Sequence, residues 1–179
     1  MRGDTLIFAV AGTRSMQLLQ VRIIFMIRIL FVCHGNICRS PMAEFVMKDF
    51  VRKAGLEEAF YIDSAATSTE EIGNGMHRGT LQKLRENGIS FTNHRARQIT
   101  AADYEKYDYM IGMDEENIFN MKRRWQGDPE GKVHLLLEFC GCTDEVADPW
   151  YTGNFDETWA DITAGCAAML EFLKQSGRV

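Results

Sequence analysis

Ile29-Leu30-Phe31-Val32-Cys33-His34-Gly35-Asn36-Ile37-Cys38-Arg39-Ser40-Pro41 decides the reading of this 179-residue chain. The stretch opens as a continuous apolar run, which predicts a parallel strand buried on both faces. It closes at Ser40-Pro41, where a proline just inside the first turn marks a helix start. The short loop between them turns backbone N–H groups and a helix N-terminus toward one spot, the geometry of an anion cradle. Cys33 stands at the strand end and Arg39 reaches in from the far side. The spacing Cys-x5-Arg-Ser lets a sulfur and a guanidinium fork address the same tetrahedral anion.

Loop amides, a helix N-terminus, a guanidinium and a hydroxyl together stabilise a thiolate, the nucleophilic form of cysteine. A thiolate there is placed to attack phosphorus in line, while Arg39 holds two equatorial oxygens and the charge they carry in the transition state. A lone cysteine at a strand end is more often a small buried hydrophobe. The company of Gly35, Asn36, Arg39, Ser40 and Pro41 favours the nucleophile.

Length and composition bound the rest. The chain is long enough for one domain with one core, and 46% hydrophobic with 25% charged residues is the balance of a soluble globular protein. A net charge of −5 and a single basic run, Lys122-Arg123-Arg124, argue against a nucleic-acid surface. Cysteines 33, 38, 140, 142 and 166 form no disulfide framework and no paired CxxC; Cys140-Gly141-Cys142 reads as loop thiols, and no metal site is expected. A reduced, cytoplasmic setting fits. Thr5 to Gly12 is a short apolar run preceded by Asp4, a poor signal segment. Leu18 to Val32 is interrupted by Gln20, Arg22 and Arg28, a poor membrane span. Met26 makes a natural start, so residues 1–25 are expected to be a disordered or artefactual extension and 26–179 the domain.

Along the chain, Met42, Phe45, Val46 and Phe50 share a helix face, and the helix should stop near Ala54-Gly55. Phe60 to Ala65 predicts a second strand ending near the cradle. Gly73-Asn74-Gly75 is a turn and Arg78 to Asn87 a helix ended by Gly88. Arg95 to Ile99 is a connector, and Thr100-x-x-Asp103 resembles a capping box with Asp for Glu. Tyr107 to Met113 predicts a third strand, Asp114 caps a helix running toward Trp125, and Val133 to Leu137 predicts a fourth strand. A long loop follows through Asp148. Trp159, Ile162, Cys166, Met169, Leu170 and Leu173 mark a last helix. Strands alternating with helices give an α/β single-domain doubly wound sheet of four parallel strands flanked by helices, whose ligands bind beyond the strand ends where strand order reverses.

Asp148-Pro149-Trp150-Tyr151 supplies what the cradle lacks. Displacing an aryl oxide from phosphorus at neutral pH requires a proton donor, and a carboxyl on a loop can give the proton and later activate water. Asp148 is the candidate. Pro149 sets the chain direction, and Trp150 and Tyr151 can wall a slot for a flat ring.

Val32 to Pro41 resembles the signature loop of the low-molecular-weight protein tyrosine phosphatases, and Asp148 to Tyr151 resembles that family's general-acid loop. The resemblance runs from about Ile27 to Lys174. It implies a phosphatase I-like fold and hydrolysis of phosphotyrosine proteins through a phosphocysteine, without metal or cofactor. Cys33 would be the nucleophile, Arg39 the phosphate clamp and Asp148 the general acid and base. His34, Gly35, Asn36, Ile37, Cys38, Ser40, Trp150 and Tyr151 would contact substrate. The resemblance further implies that Asn36 holds a strained turn, that Ser40 donates to the thiolate, and that His94 and Asp114 form a supporting hydrogen bond. The His34 side chain is expected to point outward, and His77 and His134 carry no signal. A monomer is the favoured expectation.

Two other activities use such a cradle. Relatives acting on phosphoarginine tend to place Thr where this chain has Ile37. Arsenate reductase needs two further thiols to pass a disulfide along, and in relatives they flank the segment after the third strand. Here that segment, Gly112 to Asn120, has no cysteine.

Overall fold

The computed structural model describes residues 26–179; the expected extension, residues 1–25, lies outside them. Four strands, β1 (Ile27–Cys33), β2 (Phe60–Ala66), β3 (Tyr109–Gly112) and β4 (Val133–Leu135), form one sheet in the order β2-β1-β3-β4. Every pairing is parallel. The first crossover carries the chain to one side of β1 and the next to the other. Strand order therefore reverses at the C-terminal end of β1, where Cys33 stands, and a doubly wound sheet opens its crevice there.

Alternation along β1 builds the two layers. Ile29, Phe31 and Cys33 face one core with Met42, Val46 and Met47 of α1 (Arg39–Lys53) and with Ile162, Cys166 and Met169 of the long α6 (Phe155–Gln175). Leu30 and Val32 face a second core with Tyr104 of α3 (Ala101–Lys106) and Ile118 and Met121 of α4 (Glu115–Arg124). Ile29 through Val32 have no exposed surface. Each such side chain contributes about 1.5–3 kcal/mol relative to exposure, so the strand under the cradle is anchored in both cores.

Several elements differ from their sequence reading. β3 is shorter than Tyr107–Met113, because Tyr107 caps α3 and sends its hydroxyl to Asp63 Oδ2 at 2.9 Å. β4 ends at Leu135; Leu136 and Leu137 continue as a 3-10 turn, Leu136–Cys140, that packs its apolar side chains on α6. The segment read as a long loop also contains α5 (Pro149–Thr152). The Thr100–Asp103 capping box is formed and opens α3, a helix the periodicity did not reveal. The turn read at Gly73-Asn74-Gly75 begins earlier, with Asn74 N–H donating to Glu71 O. α2 (Arg78–Glu86) and the end of α1 at Gly55, in the left-handed region, lie where expected. Among the described residues no helix is long and apolar enough to cross a membrane.

Candidate active site

Cys33 and α1 are joined by a loop whose carbonyl groups are tied outward. Thr67 N–H donates to Cys33 O at 2.9 Å and Ser68 N–H to His34 O at 3.0 Å, prolonging the β1–β2 ladder past the sheet. His94 Nε2 lies 2.8 Å from Asn36 O, His77 N–H donates to Ile37 O at 2.8 Å, and Thr80 Oγ1 donates to Cys38 O at 3.2 Å. A peptide whose carbonyl is held outward turns its N–H the other way, so the loop amides face inward as an anion nest. Asn36 N–H already points at Cys33 Sγ, 3.3 Å away.

Asn36 is the pin of the turn. Its φ of 57° lies in the left-handed region, which Asn tolerates better than most residues. The side chain is fully buried. Arg97 N–H donates to Asn36 Oδ1 at 3.2 Å, which fixes the amide orientation and leaves Nδ2 to donate to Ser40 Oγ and Ser64 Oγ, each at 2.9 Å. Ser64 in turn donates to Glu44 Oε2 at 2.6 Å. Ser40 Oγ accepts from Asn36, and its one hydrogen faces two acceptors, Cys33 Sγ at 3.1 Å and, farther off, Ala65 O at 3.4 Å. Gly35 lets Glu71 come close: a Cβ there would meet Glu71 Cγ at 3.1 Å and press that side chain to shift.

Arg39 opens α1 after Cys38, the N-cap, one residue earlier than the Ser40-Pro41 start; Cys38 makes no side-chain cap bond, so first-turn amides face the cradle. Arg39 is buried, with 3% of the residue exposed. Its Nη1 donates to Asp114 Oδ2 at 2.5 Å and its Nη2 pairs with Asp148 Oδ2 at 2.6 Å. Burial works against its charge, but Cys33, Asp114 and Asp148 more than offset this and raise its pKa above the usual arginine value. Burial, and then the charges of Cys33 and Asp148, push the Cys38 thiol up to about 12.

Asp148 caps α5, accepting from Trp150 N–H at 2.9 Å through Oδ1. The same short helix carries Trp150 and Tyr151 to the mouth, where they are 64% and 86% exposed. One cleft of about 970 Å3 joins Cys33, His34, Gly35, Ile37, Cys38, Arg39, Asp148, Trp150 and Tyr151. Asn36 and Ser40 sit behind it as buried supports. The His34 side chain points out to Glu70 Oε2 at 3.1 Å. His94 and Asp114 support the cradle at two separate points, His94 at the Asn36 carbonyl and Asp114 at Arg39.

Thr80, Ser64 and Glu44 had no visible role in the sequence, and His77 none that could be used. Thr80 and Ser64 are isolated polar residues in amphipathic segments, and only the approach of α2 and β2 to the loop gives them a task. His77 at least precedes a helix, where its Nδ1 accepts from Gly79 N–H, and its ring stacks on Phe155 with centroids 5.1 Å apart.

A doubly wound sheet with a cysteine-arginine anion cradle at its switch point and a carboxyl across the cleft defines a class: cysteine-dependent phosphatases of the small α/β type. The family model for "Low molecular weight phosphotyrosine protein phosphatase" matches residues 28–179, and the chain belongs to that family. It is 42% identical over 152 residues to the low molecular weight protein-tyrosine-phosphatase YfkJ of Bacillus subtilis, covering 84% of this chain and 97% of that protein. The crystal structure of YfkJ matches with a TM-score of 0.82, over 84% of this chain and 96% of that one. The low molecular weight phosphotyrosine protein phosphatase of Schizosaccharomyces pombe is 44% identical over 131 residues, 72% of this chain and 83% of its own. The crystal structure of DARP, drosophila arginine phosphatase, matches with a TM-score of 0.75 and 30% identity, over 82% of this chain and 97% of that one.

Proposed function

We propose that this enzyme hydrolyses phosphotyrosine in proteins through a phosphocysteine on Cys33. The observation that carries the reading is the convergence of three groups on one cleft: Cys33 Sγ facing the Asn36 amide, the Arg39 guanidinium, and the Asp148 carboxyl 2.6 Å from Arg39. The phosphoryl oxygens sit among the loop amides and the Arg39 fork. Cys33 sulfur bonds to phosphorus as the phosphorus–aryl oxygen bond breaks, and Asp148 gives its proton to the departing oxygen. Asp148, now a carboxylate, then takes a proton from water as that water attacks phosphorus, and the sulfur leaves as thiolate. Ser40 stabilises the thiolate at both ends of the cycle, and the amides and Arg39 carry the charge of each transition state. Depth favours an aryl substrate, because Cys33 is only 3% exposed and a short phosphoserine stem would hold phosphorus away from it.

Five free cysteines suit a reducing compartment, and the cytoplasm is the proposed site of action. No metal or cofactor has a part in these steps.

The likeness to an arginine phosphatase supports a second reading, phosphoarginine hydrolysis. Ile37 weighs against it: an apolar side chain at the cleft packs on a ring and offers a guanidinium end no polar partner. The test is kcat/KM on matched phosphotyrosine, phosphoserine and phosphoarginine peptides, with chelator present, for wild type and Ile37→Thr. Wild type is expected to favour phosphotyrosine strongly and Ile37→Thr to narrow the gap to phosphoarginine. A wild type that prefers phosphoarginine overturns the assignment.

A further inference from the structure

Beyond the cradle, the cleft is built of acids. Its lining includes Glu70 and Glu71 from the loop after β2, Glu116 from α4, Asp144 before the Asp148 turn, and Glu157 and Asp161 from α6. No lysine lines it, and its one arginine, Arg39, is already paired with Asp114 and Asp148. His34 is bound to Glu70. The enzyme must therefore draw a phosphate dianion through a mouth of the same sign.

Local structure accounts for part of this collar. Glu116 and Glu157 lie in the first turns of α4 and α6, where acids favour the helix dipole. Asp161 is in the interior of α6 and accepts from Ala147 N–H at 3.0 Å. Asp144 and Glu116 make no hydrogen bond or ion pair among the described residues. The cradle has no use for either charge, and for Asp144 the fold shows none.

The cleft is also larger than its chemistry demands. About 970 Å3 is the upper end of the range for small-molecule sites and far exceeds one phosphorylated ring. Two exposed aromatic rings, Trp150 and Tyr151, line the same cleft as the carboxylates. Aromatic faces beside carboxylates are a favourable setting for a lysine ammonium or an arginine guanidinium, which gains from both.

We infer that, given the phosphotyrosine reading on which this rests, the cleft selects phosphotyrosine segments whose flanking residues are lysine or arginine. The basic flanks neutralise the collar and seat on its aromatic wall while the phosphate reaches Arg39. Acidic flanks meet like charge in the collar. Such complementarity acts on encounter and on substrate choice more than on the chemical step.

The experiment compares kcat/KM for full-length enzyme on three peptides with one phosphotyrosine core and Lys/Arg, Ser/Gly or Glu/Asp flanks, with free phosphotyrosine as reference, at low and high salt. The basic peptide is expected to exceed the acidic one by at least about tenfold at low salt, mainly through KM, as charge steering does. Salt should shrink the ratio, and Glu116→Lys/Asp144→Lys should shrink it at low salt. A ratio near one, a ratio favouring acidic flanks, or a ratio the double variant leaves intact overturns the inference. Failure to turn over any of the four compounds instead overturns the phosphatase reading beneath it.

Discussion

Arg39 Nη2 and Asp148 Oδ2 lie 2.6 Å apart, so the group that would clamp phosphate and the group that would move the proton are joined across the cleft. The pair ties the first residue of α1 to the cap of the short helix α5. It also orients Asp148: with Oδ1 capping the Trp150 amide, Oδ2 is the oxygen turned toward the reacting centre. An arriving dianion competes with Asp148 for the same guanidinium, which loosens the carboxyl as its proton is needed.

Asp148→Asn should therefore slow turnover by roughly 10²–10⁴-fold, the range for a positioned general acid. The loss should shrink as the leaving phenol becomes more acidic, because a good leaving group needs no proton. A series of aryl phosphates with graded phenol pKa checks this; an equal loss along the series would make Asp148 a structural residue.

Asn36→Ala should damage both folding and catalysis. It puts a less tolerant residue at a φ of 57°, takes from the Ser40 and Ser64 oxygens the amide that donates to them, and leaves the Arg97 N–H without its acceptor. Stranded buried polar groups cost about 1–3 kcal/mol, a loss that thermal unfolding would register. Turnover should fall further than stability alone explains, because Ser40 is then free to turn away from Cys33.

The cradle and the acid turn were legible because their chemistry is local. The end of β1, one short loop and the first turn of α1 hold Cys33, Asn36, Arg39 and Ser40, and Asp148-Pro149-Trp150-Tyr151 is contiguous. What could not be read was supplied by approach in space. Thr80 reaches Cys38 O from α2, and Ser64 reaches Asn36 from β2; nothing in their own neighbourhoods distinguishes them from surface hydroxyls. Tyr107 looked like strand because it is apolar and buried, yet its hydroxyl is spent on Asp63. Leu136 and Leu137 read as the end of β4, but α6 draws them out of the sheet. The short α3 has too few residues for periodicity, and only its capping box announced it.

Oxidation of the cradle should depend on pH through Cys38. Peroxide converts the Cys33 thiolate to a sulfenic acid and releases hydroxide; the Cys38 thiol then displaces water to form the disulfide. Once Cys33 is a neutral sulfenic acid its charge no longer acts on Cys38, but burial and the Asp148 charge still raise the Cys38 pKa, so its attacking thiolate is scarce at neutral pH. Disulfide formation after a peroxide pulse should accelerate as pH rises, by mass spectrometry of alkylated protein. Cys38→Ala should recover less activity after peroxide and then thiol than wild type. Equal recovery would exclude a protective role for Cys38.

Asp63 gives the fold an acid-sensitive joint. Burial works against its charge, but Arg97, the Ser64 amide and the Tyr107 hydroxyl hold its carboxyl below the usual carboxylate range. The stabilisation is fully present above the unfolded pKa of about 3.9 and is lost as pH falls through the lower folded value. Asp63→Asn should lower stability at neutral pH by about 1–3 kcal/mol, and the deficit relative to wild type should narrow on acidification below about pH 3.9. Denaturant unfolding at pH 7 and across the acid range checks both parts. A deficit that does not change with pH would remove Asp63 from this role.

The central claim is that phosphorus passes through Cys33. Rapid acid quench of the enzyme turning over a phosphotyrosine peptide, followed by peptide mapping, locates the phosphoryl group. It should sit on the Cys33 sulfur, and Cys33→Ser should abolish turnover while still binding vanadate through the loop amides and Arg39. A phosphoryl group on any other residue, or near-normal turnover by Cys33→Ser, would contradict the account.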